Sequence, residues 1–268
     1  MNLINKKLYK NILVFVAFLI VLISVPSVQT FAGEVTPHWD YGGAANPTQW
    51  GELSHDFALC ELGRDQSPIN IVNAVTDKPK RIFFDYKPTP LVIVNNGHTI
   101  QVNYAPGSTV TINGEKYTLL QFHFHTPSEH TIEGKASAME LHLVHRNDAG
   151  QLSVVGIMMK EGTANRLINA IWKYIPAPGE TKTVSDGLGA TVSHPTINAA
   201  GFLPKTKAYF SYPGSLTTPP CSQGVRWNVL VEPITVSNEQ ITTFQKLYQV
   251  NARPIQPING RIIELHSK

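Results

Sequence analysis

Two short stretches in which polar and apolar residues alternate constrain the fold of this chain most strongly. Residues 121–125 read Gln-Phe-His-Phe-His, and residues 140–143 read Glu-Leu-His-Leu. Successive side chains of an extended strand point to opposite faces, so the apolar residues share one face and the polar residues share the other. The pattern predicts two β-strands, each with one face in the core and one face that carries imidazoles.

The polar faces of these two strands indicate a metal site. If the strands are neighbours, His123, His125 and His142 bring three neutral nitrogens together and leave a fourth tetrahedral position open, which is typical of catalytic zinc. Most histidines on a polar strand face bind no metal. Here, however, Gln121 and Glu140 each stand two residues before a histidine, and ligating histidines usually donate their other ring N–H to such an acceptor. This favours a zinc site over an ordinary polar face.

The first 32 residues have the composition of an export signal. Lys6, Lys7 and Lys10 precede the unbroken apolar run 12–23, and small residues lead up to a predicted cleavage after Ala32. The alternative is an uncleaved membrane anchor, but the run is short for a hydrocarbon core of about 30 Å and no charged stop follows it. We therefore expect an exported protein, periplasmic or extracellular.

Removal of this segment also removes the net charge. The full chain has 22 basic and 19 acidic residues, so loss of the three signal lysines leaves 19 of each. A domain without net charge offers no electrostatic argument for binding nucleic acid or an anionic membrane. The sequence therefore predicts neither as a partner of the mature chain.

Residues 33–268 are predicted to form a single domain, since this length suits one substantial core. The 19 Gly and 19 Pro of the chain separate many short segments, which favours sheets joined by turns. We expect a mainly β (α+β) fold, with a large twisted, mostly antiparallel sheet and short surface helices. Strands are predicted over residues 82–86, 91–95, 99–104, 109–112, 117–125, 138–145, 152–160 and 226–231. Helices are predicted over residues 165–172 and 238–248.

The chain has two cysteines, Cys60 and Cys221. In an exported protein such a pair is expected to form a disulfide, and two separate buried thiols are the alternative. A bond that closes so long a loop would stabilise the fold by about 4–5 kcal/mol in the chain-entropy model. The aromatic-rich residues 35–64, which include Cys60, are expected to wrap over the domain.

Six motifs, spread in order between Trp39 and Glu264, resemble those of the α-class carbonic anhydrases of the exported bacterial type. They are Gln-Ser-Pro-Ile-Asn-Ile (66–71), Asn-Gly-His (96–98), Gln-Phe-His-Phe-His (121–125), Ser-Glu-His (128–130), Glu-Leu-His-Leu-Val-His (140–145) and Ser-Leu-Thr-Thr-Pro-Pro (215–220). The resemblance implies the α-carbonic-anhydrase fold and a zinc lyase that reversibly hydrates CO2 to bicarbonate and a proton by attack of zinc-bound hydroxide. It also implies weak esterase activity and admits a homodimer.

The same resemblance assigns residues around one catalytic Zn2+, with His123, His125 and His142 as ligands. It implies that the backbone carbonyl of Asn251 orients His125, a partner that residue spacing does not suggest. It also implies that Thr217 donates its hydroxyl proton to Glu129. The Thr217 oxygen then only accepts from the nucleophile, which disfavours ligands that cannot donate a hydrogen bond.

Further roles are implied for the path of the proton and for the substrate. His98 matches the proton shuttle, because a histidine with a pKa near 6.5 exchanges protons near neutral pH. Tyr41 and Gln101 match residues that organise the intervening water, although Gln101 stands where other members often have Asn. Thr218 is expected to contact bicarbonate. An apolar wall for CO2 is expected from Val144, Val154, Leu216, Val225 and Trp227.

Two other classes of function compete with this reading. One is a non-catalytic carbonic-anhydrase-like binding protein, which would have lost one or more zinc histidines. The other is a zinc hydrolase that acts on esters or phosphates, for which a second metal or a cationic clamp would be usual. The chain retains all three histidines with Thr217 and Glu129, and its sequence has no second ligand cluster, so the lyase is the favoured hypothesis.

Overall fold

The fold is built around one large twisted β-sheet. The computed structural model describes residues 37–78, 80–185 and 195–267, and residues from Pro37 onward form one compact unit. The predicted export segment at residues 1–32 lies outside the described residues. Its cleavage after Ala32 therefore stays a prediction.

The strands are short at both ends of the described chain and long in its middle. Among the described residues they are β1 (Asn70–Ile71), β2 (Val75–Thr76), β3 (Ile82–Asp85), β4 (Thr89–Pro90), β5 (Val92–Asn95), β6 (Ile100–Asn103), β7 (Thr109–Ile112), β8 (Glu115–His125), β9 (Thr131–Ile132), β10 (Lys135–Ala136), β11 (Met139–Arg146), β12 (Leu152–Glu161), β13 (Thr181–Thr183), β14 (Thr196–Ile197), β15 (Tyr209–Ser215), β16 (Gln223–Val236) and β17 (Glu264–His266). Seven of the predicted strands differ from the observed ones by at most two residues at either end.

The helices are few and short. They are α1 (Trp50–Leu53), α2 (Leu59–Leu62), α3 (Arg166–Trp172) and α4 (Asn238–Gln245), with 3-10 turns at Gly43–Ala45, His55–Phe57 and Ala199–Phe202. Ser237 caps α4 in a reciprocal capping box with Gln240. The predicted end of this helix at residue 248 is wrong, since α4 ends at Gln245 and the Leu247 N–H donates to the Phe244 carbonyl in a tighter turn of 3-10 spacing. No helix within residues 37–78, 80–185 and 195–267 is long and apolar enough to cross a membrane.

Most neighbouring strands of the large sheet are antiparallel, as predicted. Within the described part of the chain its twelve strands run in the order β13-β5-β6-β8-β11-β12-β16-β15-β17-β2, and β3 joins through β7, which pairs with β8. The pairs β12–β16 and β17–β2 are parallel. The sheet is therefore mixed, and its longest pairing crosses between distant parts of the chain.

The region around β15 and β16 departs most from the sequence prediction. The predicted strand at 226–231 is too short, since β16 extends over Gln223–Val236, and β15 is not predicted at all. In β15 every residue except Pro213 is buried. A strand buried on both faces has no polar alternation, so periodicity does not reveal it.

The two faces of β8 and β11 divide as their alternation predicts. Phe122, Phe124, Leu141 and Leu143 have no exposed surface and belong to the main hydrophobic core. A second apolar cluster, which contains Trp227 and Val144, lies on the other face of β11. The imidazoles of the two strands therefore lie at the border between a tightly packed core and a smaller apolar cluster.

Residues 37–64, called the N-terminal wrap below, contribute to a third hydrophobic cluster. The ring of Trp50 is fully buried and packs with Trp39 and Tyr41 at centroid distances of 5.1 and 5.7 Å. The same cluster contains Cys60 and Cys221. These two cysteines are bonded to each other, with Cα atoms 5.0 Å apart, which confirms the predicted disulfide.

Candidate active site

Antiparallel pairing of β8 with β11 brings the three candidate histidines together. His123 lies opposite His142, and His125 lies opposite Glu140. One ring nitrogen from each of His123, His125 and His142 falls within 4.8 Å of the others. The convergence follows from the shared face of the two strands.

Each of the three imidazoles uses one nitrogen for a hydrogen bond to the protein. Nδ1–H of His123 donates to Gln121 Oε1 over 2.8 Å, and Nε2–H of His142 donates to Glu140 Oε1 over 2.9 Å. Nδ1–H of His125 donates to the backbone carbonyl of Asn251 over 2.6 Å. These bonds leave Nε2 of His123, Nε2 of His125 and Nδ1 of His142 as the nitrogens that face one another.

The chemistry of these nitrogens suits a zinc ion. Burial lowers the pKa of all three imidazoles, and it lowers that of His125 to about 4. All three rings are therefore neutral near pH 7, as a metal ligand must be. Nε2 of His125 is buried and has no hydrogen-bond partner among the described residues, and buried polar atoms without partners are uncommon. A set of three neutral nitrogens with one unsatisfied atom fits Zn2+.

Glu129 faces the same space. Its Oε2 atom lies 3.6 Å from His125 Nε2 and 3.8 Å from His142 Nδ1, while Oε1 accepts from the backbone N–H of Arg253 over 2.9 Å. Burial raises the pKa of the Glu129 carboxyl to about 7, and the nearby Thr217 hydroxyl opposes part of that rise. Within the described chain Oε2 has no hydrogen-bond partner.

The turn that carries Thr217 and Thr218 is held from two sides. It follows β15, and the backbone N–H of Cys221 donates to the Thr218 carbonyl over 2.8 Å. Through the disulfide, Cys221 is joined to Cys60 in the N-terminal wrap. The turn is therefore attached to the sheet and, through the disulfide, to the N-terminal segment.

The residues expected to form an apolar wall lie together. Val144 pairs with Val154 in register, and Val154 pairs with Trp227. The indole of Trp227 lies 4.8 Å from the ring of His142 between centroids. The cluster that contains these side chains comprises, among others, Val144, Val154, Leu216, Val225 and Trp227.

His98 occupies the turn before β6 and stacks on Trp39. The centroids of the two rings are 3.7 Å apart, and the ring planes are 10° from parallel. Burial lowers the pKa of His98, and Asp40 partly opposes this. Nδ1 of His98 has no hydrogen-bond partner in the described part of the chain. The half-buried imidazole thus has a free nitrogen at the edge of the N-terminal wrap.

Gln101 and Tyr41 lie on different elements near the histidines. Gln101 is opposite His123 in register, and its side-chain amide donates to Asn103 Oδ1 over 2.7 Å. Tyr41 packs edge-on against Trp39, and burial raises the pKa of its hydroxyl well above the usual value. Gln101 approaches the site from the sheet, whereas Tyr41 belongs to the wrap.

Two residues of a C-terminal loop make side-chain contacts near the site that residue spacing does not suggest. The Asn251 side chain donates to the carbonyls of Phe124 and His98 over 2.9 and 3.0 Å, so Asn251 holds strand β8 and the His98 turn as well as His125. The Arg253 guanidinium donates to the Cys60 carbonyl over 2.7 Å. No local pattern marks either residue, because their partners lie more than 100 positions away in the chain.

Two further groups of potential ligand atoms exist among the described residues. His130, Glu140 and His142 are already joined to one another by hydrogen bonds. In the other group, Asp77 and Glu264 flank the Lys80 ammonium at 2.9 and 2.7 Å beside His266. That acidic group already has a cation, so neither cluster resembles a second metal site.

A large sheet on which three neutral histidines converge beside an apolar cluster is typical of a metalloenzyme. The family model for eukaryotic-type carbonic anhydrases matches residues 45–267. A carbonic anhydrase of Pectobacterium carotovorum is 44% identical over 227 residues, which cover 84% of this chain and 90% of the relative. One from a Nostoc species is 43% identical over 233 residues, covering 85% and 86% respectively.

A solved structure supports the same assignment. The hyperthermostable carbonic anhydrase from an active hydrothermal vent chimney superposes with a TM-score of 0.80 at 44% identity, covering 86% of this chain and 100% of that one. The chain belongs to the eukaryotic-type, or α, carbonic anhydrase family, and it is an enzyme that interconverts CO2 and bicarbonate. Enzymes of this class use zinc.

Proposed function

We propose that this enzyme hydrates CO2 with one Zn2+ ion held by His123 Nε2, His125 Nε2 and His142 Nδ1. The observation that carries the proposal is that each ring bonds the protein through one nitrogen and turns the other toward a shared space. When bound there, zinc would make hydroxide available near neutral pH by lowering the pKa of water to about 7.

The partners of the histidines keep each ring in one tautomer. Gln121 and the Asn251 carbonyl are neutral acceptors, whereas Glu140 is a buried carboxyl whose pKa is held low by His130 and His142 against the effect of burial. An acceptor on the outer nitrogen directs the lone pair of the inner nitrogen to the metal and fixes the ring orientation. These three partners therefore prepare the ligands before any metal binds.

Thr217 and Glu129 would select the nucleophile. Because the Arg253 N–H occupies Oε1 of Glu129, Oε2 is available to accept the proton of the Thr217 hydroxyl. The Thr217 oxygen can then only accept, so it favours a reacting group that donates a hydrogen bond. Thr218, the next residue, would contact the bicarbonate product.

The apolar cluster beside His142 would hold CO2. Carbon dioxide has no net dipole and needs no polar anchor, so a wall of valine, leucine and tryptophan side chains gives it a place without competing for the nucleophile. Val144, Val154, Leu216, Val225 and Trp227 supply this wall in our proposal.

His98 would carry the proton that hydration releases to the buffer. Its Nδ1 atom is free of other partners in the described structure, and its lowered pKa leaves it neutral and able to accept near pH 7. Gln101 on strand β6 and Tyr41 in the N-terminal segment would order the water between the three histidines and His98.

The decisive experiment combines zinc analysis with stopped-flow CO2 hydration on the purified protein before and after chelation. We expect one zinc per chain, hydration that disappears with the metal, and recovery when zinc is added back. Hydration that survives complete zinc removal would overturn the metal assignment. Bound zinc without hydration would favour a binding protein, and ester or phosphate hydrolysis as the dominant activity would favour a hydrolase.

The disulfide fits an exported enzyme. We propose that the chain is cleaved after Ala32 and functions in the periplasm or outside the cell, as a possible homodimer with a weak esterase side activity. Sequencing of the mature N-terminus and sedimentation of the purified protein test these points. An intact Met1 on the functional protein would contradict the export proposal.

A further inference from the structure

Residues 95–99, called the His98 turn below, are closed by the side chain of Asn96. Asn96 Oδ1 accepts from the backbone N–H groups of His98 and Thr99, over 2.9 Å each. The Asn96 N–H donates to the Thr99 carbonyl over 3.3 Å. Gly97 supplies the positive φ of 85° at which a glycine is not strained. These bonds give the turn its shape but do not attach it to the rest of the protein.

Asn95, which ends β5, attaches the turn to two other segments. This residue has no exposed surface. Its Nδ2–H donates to the Pro176 carbonyl over 3.0 Å. Its Oδ1 accepts from the Gly97 N–H over 3.3 Å and also from the Tyr248 hydroxyl. The Asn95 side chain is therefore a buried junction between the turn, the loop at Pro176 and the segment that carries Tyr248.

Tyr248 lies just beyond the end of α4 and contacts both ends of the His98 turn. Burial raises the pKa of Tyr248 to about 12, so its hydroxyl keeps its proton and can donate to Asn95 Oδ1. The same hydroxyl lies 3.4 Å from the Thr99 carbonyl. The tyrosine ring packs against Phe244 of α4, with 5.5 Å between the ring centroids. Tyr248 thus connects the turn to a helix.

Asn251 also contacts the His98 turn, but it contacts a candidate zinc ligand as well. Its side chain donates to the His98 carbonyl over 3.0 Å, and its backbone carbonyl accepts from His125. A change at Asn251 would therefore disturb the turn and the ligand together. Among the described residues, the Tyr248 hydroxyl bonds only Asn95 and Thr99. Its removal leaves the three converging histidines with all their partners.

We propose that Tyr248, acting through Asn95, is a positioning residue for His98 in proton transfer. The inference rests on the shuttle role proposed for His98. Transfer of a proton through ordered water requires the accepting nitrogen at a fixed place, and a small displacement of a reacting group can cost much of the rate. Tyr248 therefore supports the export of the proton and has no part in the attack on CO2.

The test measures these two stages separately in the purified enzyme. The kcat in dilute buffer reports the export of the proton, whereas kcat/KM reports the steps through bicarbonate formation. Tyr248→Phe keeps the ring and removes the hydroxyl. We expect it to lower kcat in dilute buffer roughly three- to five-fold, as loss of one buried hydrogen bond implies, and to leave kcat/KM unchanged. Concentrated buffer should restore kcat, because buffer then accepts the proton directly.

Tyr104→Phe is the matched control. The Tyr104 hydroxyl donates to the Lys87 carbonyl over 2.7 Å and accepts from the Ala199 N–H over 2.9 Å. Neither partner belongs to the His98 turn. Tyr104→Phe should lower the melting temperature, since it leaves backbone groups unpaired, and keep kcat in dilute buffer within about two-fold of wild type.

A double-variant cycle shows whether the effect of Tyr248 passes through His98. In the His98→Ala background, Tyr248→Phe should change kcat in dilute buffer by less than about two-fold, because the group that Tyr248 positions is gone. An undiminished three- to five-fold effect in that background would contradict the inference.

The outcomes separate this inference from the function on which it rests. Equal kcat values of wild type and His98→Ala in dilute buffer would overturn the shuttle role itself. A slow His98→Ala variant, with Tyr248→Phe as fast as wild type, would overturn the positioning role alone. Equal losses of kcat in Tyr248→Phe and Tyr104→Phe, or a loss of kcat/KM as large as that of kcat, would show a general structural effect and would also refute the inference.

Discussion

His142 and His145 lie three residues apart on β11, are equally buried, and differ in the atoms around them. His145 bonds the protein through both nitrogens, to Tyr86 and to Ser153. His142 bonds Glu140 through one nitrogen and turns the other toward His123 and His125. Among these inward nitrogens, His125 Nε2 is buried without a hydrogen-bond partner in the described structure, which is uncommon unless the atom binds a ligand. An available nitrogen, and not the presence or burial of histidine, therefore distinguishes the site from the core.

The strongest test of this comparison replaces each histidine with alanine. His142→Ala should lose zinc affinity by about a hundred-fold or more and lose hydration with it, because it removes one of three ligands. His145→Ala should keep zinc and hydration and lose about 2–4 kcal/mol of stability through a cavity and unsatisfied partners. Equilibrium zinc competition, stopped-flow hydration and denaturant unfolding give the three readings. Full activity in zinc-free His142→Ala would abolish the distinction.

A smaller effect on zinc affinity is expected from a substitution on β12, the strand that pairs with β11. Gly156→Ala should lower zinc affinity about ten-fold, because the new methyl group displaces the Glu140 carboxylate. Gly162→Ala is the matched control, since its Cβ would meet only the Thr235 side chain, at 3.0 Å. Zinc competition on both variants measures the difference. Equal affinity in the two would show that the space beside Glu140 is not required.

His98 differs from both His142 and His145, since its ring is only half-buried and one of its nitrogens has no hydrogen-bond partner among the described residues. His98→Ala should slow turnover at least roughly ten-fold in weak buffer and much less in concentrated buffer, because the buffer replaces the proton acceptor. Added imidazole should restore part of the rate. Burial lowers the pKa of His98, so the shuttle-dependent limb of the pH profile should lie below pH 6.5. Equal rates of variant and wild type in weak buffer would remove His98 from the mechanism.

The smallest effect concerns acid stability. Burial lowers the pKa of His145 from 6.5 to about 3, so between these pH values the unfolded chain binds a proton that the folded chain does not. His145 therefore contributes a loss of stability as the pH falls below 6.5, by up to about 1.4 kcal/mol per pH unit. From pH 7.5 to pH 5.0, wild type should lose about 2 kcal/mol more unfolding free energy than His145→Phe. Parallel losses in denaturant titrations would contradict this.

Several parts of the molecule follow from local sequence alone. The alternation at 121–125 and 140–143 predicts both strands and their buried faces because side-chain direction depends only on the strand period. The cap at Ser237 and the short helices follow from similarly local rules. By contrast, β15 is missed because burial on both faces removes the pattern that would indicate it.

Some residues of the site likewise follow from local sequence, and others do not. Gln121 and Glu140 could be predicted because each stands two residues from the histidine it orients. Asn251, Arg253 and Tyr248 have partners more than 80 residues away, and only the folded chain brings them close. Motif resemblance recovers Asn251, but it assigns neither the Arg253 contact with Glu129 nor the bond from Tyr248 to Asn95.

Local sequence is enough to tell which histidines share a strand face, which residues flank them, and which sides of β8 and β11 enter the core, since these depend on neighbours in the chain. Which nitrogen of each ring is available, and what holds Glu140 and Glu129 in place, follow from the folded chain. A ring nitrogen is occupied or free according to atoms that remote segments contribute, and the approach of those segments depends on packing of the whole sheet.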